Sequence, residues 1–543
     1  MKKTIKKSIK KSWPYLILAF LTLTIVVSIE GYITLKMMTI VDSALEGKIE
    51  VLKEEAVKIL FAILLSLLFG LLASYTRGRY LYQSLVKTKI DYIDKLFDKN
   101  INEFQAENKA SYLSIMTNDM NRIEKQYLEG IYEVGASFIG FMVAFIIIAS
   151  VSPLALILGA GISILSAIIG NVVAKPLQKH EKERSQLFDG YTSYIKEVLG
   201  AFQIVKANNL NEKVKKDFYK NSKDIQEERY IMDKIHTYIL AAQSFIMNST
   251  TFFMLAVTVL LAIKGRITTG AVILIVNNLS RVIYPLMELG EWLPQIFAVK
   301  PIFEKIDKSL ENQEIFDETI GIDKFNHRIE FNKVSFSYGE HEVLSNVNFS
   351  LEKGGKYLIL GPSGGGKSTL LRLLRKYFKP LHGEILIDGK NLGDIRKKDY
   401  FNIISNIEQQ VFLFEDTLRN NISLFKEYSE EEINHAIDQS GLSQFVKELP
   451  KGLDSMIYDN GKNISGGEKS RIAIARGLLS KSDIIFIDEA FASLDEQVAK
   501  EIEKTLLSLE GITLVNVSHL VFEENKGKYD KVLVVKNKLV YEE

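Results

Sequence analysis

The chain has 543 residues, 68 basic and 67 acidic side chains, a formal charge of +1 and no cysteine. Its length supports several domains and a large core, while the missing thiols exclude a disulfide scaffold, a thiolate metal site and a cysteine nucleophile. A balance this even argues against a nucleic-acid partner held by a global basic field. The average conceals a division: apolar residues crowd the first 300 positions and charged residues lie elsewhere, as in a membrane part joined to a soluble part.

A hydrocarbon layer about 30 Å thick needs roughly 20 apolar helical residues, because backbone polar groups must be satisfied within the segment. The run from Trp13 to Ile29, interrupted by Glu30 and resuming at Gly31, predicts a first span over about 13–35, and Ile59 to Tyr75 a second over about 57–76. Val134 to Ala174 carries no Asp, Glu, Lys or Arg across about 60 Å of helix. That is two spans, about 132–150 and 153–174, broken at Ser150 to Pro153. A fifth span is expected over 235–263, and a sixth over 267–299 that contains Arg281, Glu288 and Glu291. The all-α membrane part is thus expected at 1–305, followed by a linker at 306–328.

Lys2, Lys3, Lys6, Lys7, Lys10 and Lys11 precede the first span, which puts the N-terminus inside. A secretory signal shares the basic start, but no small-x-small site precedes Glu30 and the apolar run continues past it, which favours an uncleaved span. The lysine pairs suit a surface helix on anionic lipid and equally a plain topology signal. Two long inward connections, 76–133 and 175–234, mix charges with regularly spaced apolar residues, so the spans are expected to continue as helices into the cytoplasm.

From Ile329 to the C-terminus the pattern becomes α/β. The apolar strand Tyr357 to Leu360 leads into Gly361-Pro362-Ser363-Gly364-Gly365-Gly366-Lys367-Ser368-Thr369 and then a helix, the G-x-x-x-x-G-K-[ST] loop in its strand-to-helix context. The glycines let backbone N–H groups turn toward phosphates, Lys367 adds a cation at the β/γ oxygens, Ser368 supplies a Mg²⁺ ligand, and Thr369 supports the helix start. A second apolar strand ends in Asp488 and Glu489, placed to hold Mg²⁺ through water and to polarise the attacking water. His519 follows a third strand and is placed to sense the γ-phosphate.

Asn463-Ile464-Ser465-Gly466-Gly467-Glu468 enters another helix. With this element the chain resembles an ATP-binding cassette (ABC) transporter, Ile464 to Glu468 resembling the signature motif usually written LSGGQ. The resemblance implies that the signature of one subunit caps the ATP held by the Gly-rich loop of the other, a Ser and glycine N–H groups at a helix N-terminus facing the γ-phosphate. Tyr338 matches the aromatic that stacks on adenine, Gln409 the glutamine that contacts Mg²⁺ and water, and Ala492-Ser493-Leu494-Asp495 the loop that crosses the dimer interface. Six spans followed by one nucleotide domain is the layout of a half-size exporter of the type IV fold. A dimer follows, with a second copy or with a related half-transporter, in the cytoplasmic membrane. The segment Asn108 to Met120 resembles the family's first coupling region and Gly200 to Asn209 the second.

Three departures stand out. The signature has Ile and Glu in place of Leu and Gln, the interface loop begins with Ala492 and exchanges Ser and Ala, and Ile457 to Gly461 lacks the Val-Gly-Glu-Arg-Gly pattern common in exporters. The expected cost is a slower or asymmetric cycle.

In the sixth span Asn277, Arg281, Tyr284, Glu288, Glu291 and Gln295 recur at helical spacing on one face. Charges at membrane depth usually face a water-filled cavity, so the stripe reads as a pathway for cargo, or else as an intrahelical ion pair with polar contacts to neighbouring spans. Glu30 is a second candidate, near the outer leaflet. The expected function is ATP-driven export of a hydrophobic or amphipathic peptide, lipid or drug-like molecule. A membrane channel regulator or ligand sensor that does not pump would carry the same motifs.

Overall fold

The computed structural model describes residues 7, 9–159, 161, 180, 183, 187, 188, 190–314 and 316–543. Most of the span expected at 153–174, together with Lys2, Lys3 and Lys6, lies outside the described residues. The chain divides into two units: Met1–Lys99 with Asn108–Glu311, and Asn100–Glu107 with Asn312–Glu543.

In the first unit, α1 (Trp13–Leu45) begins with a proline in its first turn, where the missing N–H costs nothing. It turns back at Gly47, whose φ of +70° suits glycine, into α2 (Ile49–Phe97). The helical run α4 (Lys109–Val151) contains π-helical turns at Ile115–Asp119 and Ile123–Leu128. A short α5 (Phe202–Ala207) precedes α6 (Asn211–Ile263), α7 (Thr269–Ala298) and α8 (Lys300–Ser309). Among the described residues, α1, α2, α4 and α6 are long and apolar enough to cross a membrane. The expected sixth span is a helix, α7, which carries Arg281, Glu288 and Glu291 and also accommodates Pro285 and Pro294. At 1.5 Å per residue the 53 residues of α6 extend about 80 Å, far beyond an apolar layer.

Hydroxyl and ionic contacts join these helices. The buried hydroxyls of Thr22 and Thr76 lie 2.8 Å apart, linking α1 to α2, and Arg77 of α2 donates to Glu133 of α4 over 2.8 Å. The Gly270 N–H at the start of α7 donates to Asp42 over 2.7 Å. A Cβ at Gly270 would lie 2.3 Å from the Met38 carbonyl oxygen, so only glycine admits this approach. Ala144, Ile148, Met254, Leu274, Leu279 and Ile283 pack where α4, α6 and α7 meet.

The second unit has two sheets. An antiparallel sheet runs in the order β2 (His341–Glu352), β1 (Arg328–Tyr338), β4 (His382–Ile387), β5 (Lys390–Asn391). The other runs β10 (Leu539–Glu542), β9 (Lys531–Lys536), β3 (Lys356–Leu360), β8 (Thr513–Val517), β7 (Ile484–Asp488), β6 (Ile404–Ile407), parallel except for the β9–β10 hairpin. The central strands are almost wholly buried, which explains their largely apolar sequences. Their C-terminal ends are where an open α/β sheet places its ligand.

The segment Asn108 to Met120 belongs to the first unit, whereas the preceding Asn100–Glu107, containing α3 (Ile101–Ala106), belongs to the second. The physical reason is local. Asn100 and Glu107 are extended, so the chain turns on either side of α3, and the Asn108 side chain then caps the next helix by accepting from Ala110 N–H over 2.9 Å. Within the second unit Glu103 accepts from the backbone N–H groups of Gln313 and Glu314 over 2.8 and 3.0 Å, and Lys397 donates to Asn100 over 2.5 Å.

Candidate functional site

The loop after β3 is shaped by backbone conformations that side chains rarely tolerate. Gly361, Gly364 and Gly366 have φ of +149°, +75° and +106°, and a Cβ on Gly361 would lie 2.3 Å from the Val535 carbonyl oxygen. Gly366 opens α9 (Lys367–Leu374), leaving the first N–H groups of that helix without carbonyl partners inside it. Ser363, Gly364 and Ser368 are exposed, Gly365 is partly exposed, and Thr369 is buried.

Lys367 is buried, its ammonium donating to the carbonyls of Gly361 and Pro362 over 2.9 and 3.1 Å. Its Nζ lies 3.2 Å from His519 Nε2. Burial lowers its pKa, and the carboxylates of Glu489 and Asp488 oppose that shift. A buried cation beside the start of a helix fits a phosphate chain.

β7 delivers the two carboxylates. Asp488 is largely buried, which raises its pKa, while Arg375 at 3.5 Å holds it back. Arg375 is only 3% exposed, and its Nε and Nη2 have no hydrogen-bond partner among the described residues. Such a carboxylate gains from a divalent cation, so Asp488 and the exposed Ser368 hydroxyl fit Mg²⁺ chemistry. Sequence reasoning missed Arg375, since nothing local marks an arginine at the end of α9 as facing a strand 113 residues later.

Glu489 is the centre of the cluster. It accepts from Gln409 Nε2 over 3.1 Å, and its other oxygen lies 3.0 Å from His519 Nε2. Its φ is +51°, sparsely populated for a non-glycine residue and costing on the order of 1–3 kcal/mol. The Glu489 N–H is pinned to the Val517 carbonyl over 2.9 Å, which fixes the conformation and projects the carboxylate off the end of the strand. Lys367, Gln409, Asp488, Glu489 and His519 are thereby brought together from four separate segments.

Tyr338 ends β1 with about 40% of its surface exposed, edge-on to Phe336 and Phe378 at 5.0 and 5.5 Å. Its hydroxyl lies 3.4 Å from that of Thr369 and accepts from Arg372 over 3.2 Å.

The signature residues form a separate exposed helix start. Ser465 caps α13 (Gly466–Leu479; α10, Leu418–Ser423, α11, Glu430–Gln439, and α12, Ser443–Glu448, lie between). Its hydroxyl accepts from Glu468 N–H over 3.3 Å, while Glu468 accepts from Ser465 N–H over 2.8 Å. This capping box explains a carboxylate where glutamine was expected, since either side chain can accept that bond. Ile464 is partly buried, and Gly466 and Gly467 lie against Ser493, where a Cβ on Gly467 would meet the Ser493 carbonyl oxygen at 3.1 Å. Asp495 is exposed at the start of the next helix.

In the first unit, Arg281 pairs with Glu30 of α1, an ion pair between helices. Asn277 and Tyr284 are exposed and Glu288 is partly buried, while the Glu291 side chain lies outside the described residues.

Two family models match the chain: the ABC transporter transmembrane region over residues 16–286 and the ABC transporter model over 344–492. The lipid A-core flippase of Desulfotalea psychrophila is 36% identical over 251 residues, a match covering 46% of this chain and 42% of that protein. The lipid A-core flippase of Vibrio parahaemolyticus is 28% identical over 457 residues, covering 81% of this chain and 77% of that one. A bacterial Atm1-family ABC exporter, solved with ATP bound, superposes with a TM-score of 0.79 over 99% of this chain and 95% of that one, at 19% identity. With its transmembrane and ATP-binding parts fused in one half-size polypeptide, the chain belongs to the ABC transporter family, as an exporter whose ATPase is coupled to transport.

Proposed function

We propose that this chain forms one half of a homodimeric exporter in the cytoplasmic membrane, moving amphipathic molecules of the lipid class outward with MgATP. The observation that carries the reading is the single connected cluster of Lys367, Gln409, Glu489 and His519 beside the glycine loop. With each of these groups present in one chain, two identical copies complete two equivalent sites, each taking Ser465 and Gly467 from its partner. The flippase relatives support an amphipathic cargo.

The chain's own groups divide the work. Tyr338 offers an aromatic face to the base, and the glycine N–H groups with Lys367 bind and orient the phosphates. Ser368, Gln409 and Asp488 would hold Mg²⁺, which would supply Lewis-acid charge at the phosphate oxygens. Glu489 takes a proton from the attacking water at the oxygen that His519 also reaches, and Gln409 fixes the carboxylate's second oxygen. His519 and the partner's signature N–H groups face the charge that develops on the γ-phosphoryl oxygens.

Closure around nucleotide biases a two-state membrane part. A few kcal/mol reverses such an equilibrium, and hydrolysis at Glu489 resets it. Asn100–Glu107, which belongs to the ATP-binding unit yet continues covalently into α2 and α4, supports a mechanical link at this point. The test is to purify the chain alone in detergent or lipid discs and measure mass and hydrolysis with MgATP, then transport of a fluorescent phospholipid. A dimer that hydrolyses ATP and moves the lipid is expected. A monomer without hydrolysis overturns the homodimer, and hydrolysis without lipid movement overturns the cargo class.

A further inference from the structure

We infer that His180, Glu183 and Glu228 form a site for a first-row divalent metal ion of the Zn²⁺ type, in the part of the first unit on either side of α5. His180 and Glu183 stand one helical turn apart, and Glu228 lies on α6. His180 Nδ1 is 3.0 Å from Glu228 Oε2 and 3.5 Å from Glu183 Oε2, and the three ligand atoms all lie within 4.8 Å of one another. Ligands about 2.1 Å from a tetrahedral ion stand about 3.4 Å apart. Two of the three separations therefore need shifts of only a few tenths of an ångström, and the third at most about 1.4 Å.

Contacts nearer α5 join residues 191–194 to α6: the Tyr194 hydroxyl donates to the Val214 carbonyl over 3.2 Å, and the rings of Tyr191 and Phe218 lie 5.6 Å apart. The three side chains are 20–44% exposed, so an ion in solution can reach them.

The donor set selects the metal. One imidazole nitrogen and two carboxylates, with a position left for water, suit Zn²⁺ and its neighbours, whereas Mg²⁺ and Ca²⁺ prefer oxygen ligands. With no cysteine in the chain, no thiolate competes for such an ion. Binding would clamp the two legs that carry α5.

The test uses the full chain, stripped with chelator and free of nucleotide, titrated with Zn²⁺ by calorimetry and with Co²⁺ by visible absorption. One equivalent per chain with micromolar affinity is expected, weakened at least tenfold in H180A and in E228Q, with loss of the Co²⁺ bands. Zn²⁺ should also slow proteolysis between residues 190 and 228 in the native chain and not in the variants. Should H180A fail to elute as native protein, E183Q and E228Q decide the matter. Unchanged stoichiometry and affinity in the variants, or no binding tighter than millimolar in the native chain, would overturn the assignment and leave a histidine–carboxylate hydrogen bond.

Discussion

Substituting Glu489 by glutamine tests the ATP site most directly. The carboxylate touches Gln409 through one oxygen and His519 through the other, so the amide, which nearly preserves its shape, keeps one acceptor and turns its NH₂ toward a donor. One neutral hydrogen bond is worth about 0.5–1.5 kcal/mol, too little to disturb the fold or the phosphate loop. What disappears is a proton acceptor, and general-base catalysis contributes about 10²–10⁴-fold, or roughly 2.7–5.5 kcal/mol of barrier. E489Q should therefore lower kcat by at least about 10²-fold with little change in KM. It should also accumulate a nucleotide-bound closed dimer. Phosphate release gives the rate, and retained radiolabelled nucleotide with light scattering gives the trapped state. A kcat within a few-fold of native, or a rise in KM at constant kcat, would refute this role.

Four further outcomes follow from the same geometry. S465A removes the cap of α13 and should cost about 1 kcal/mol in unfolding by denaturant, whereas E468Q keeps the cap and removes a negative charge facing the partner's γ-phosphate. E468Q should leave stability unchanged and raise hydrolysis about two- to fivefold, some 0.4–1 kcal/mol of barrier, and an equal loss of rate in both variants would contradict this. R281M leaves Glu30 without its partner and should abolish cargo stimulation while basal ATPase persists, with E30Q/R281M recovering thermal stability relative to R281M. The pair E103Q and N100A loosens the α3 clasp and should reduce stimulation by cargo without lowering basal hydrolysis; a parallel fall in both rates would speak against a coupling role. Because burial lowers the Lys367 pKa, its charged form is the disfavoured one in the free fold. This group's contribution to stability is present at high pH and lost as pH falls from 10.5 through the lowered value. ATP needs the charge, so binding should weaken as pH rises through that same window and should take up a proton there, which a buffer-dependent binding heat would reveal; a KM flat up to pH 10.5 would count against it.

The candidate site was readable in the sequence wherever its residues are contiguous. Gly361 to Thr369 bends the backbone by itself, Ser465 and Glu468 cap a helix within one turn, and Asp488 and Glu489 follow directly from their strand. Contacts made across the fold left no such trace. Arg375 reaches Asp488 only because α9 returns over β7, and Arg281 finds Glu30 through 251 positions of chain. Neither the two turns around α3 nor the π-helical turns of α4 follow a periodicity that side-chain pattern reveals. His180 and Glu183 stand three residues apart, but nothing in the sequence marks Glu228 as their neighbour.

The unbroken length of α6 has a mechanical consequence. If about 30 Å of its 80 Å is gripped by lipid, the remaining 50 Å or so acts as a lever arm, and a tilt of only 10° at the membrane edge sweeps its far end through roughly 9 Å. A shaft this stiff magnifies the movement of its embedded end, about 5 Å for the same tilt, into a displacement nearly as wide as another helix. Its throw is set by how many residues lie beyond the bilayer, so inserting or deleting whole turns there would retune the stroke without touching either end.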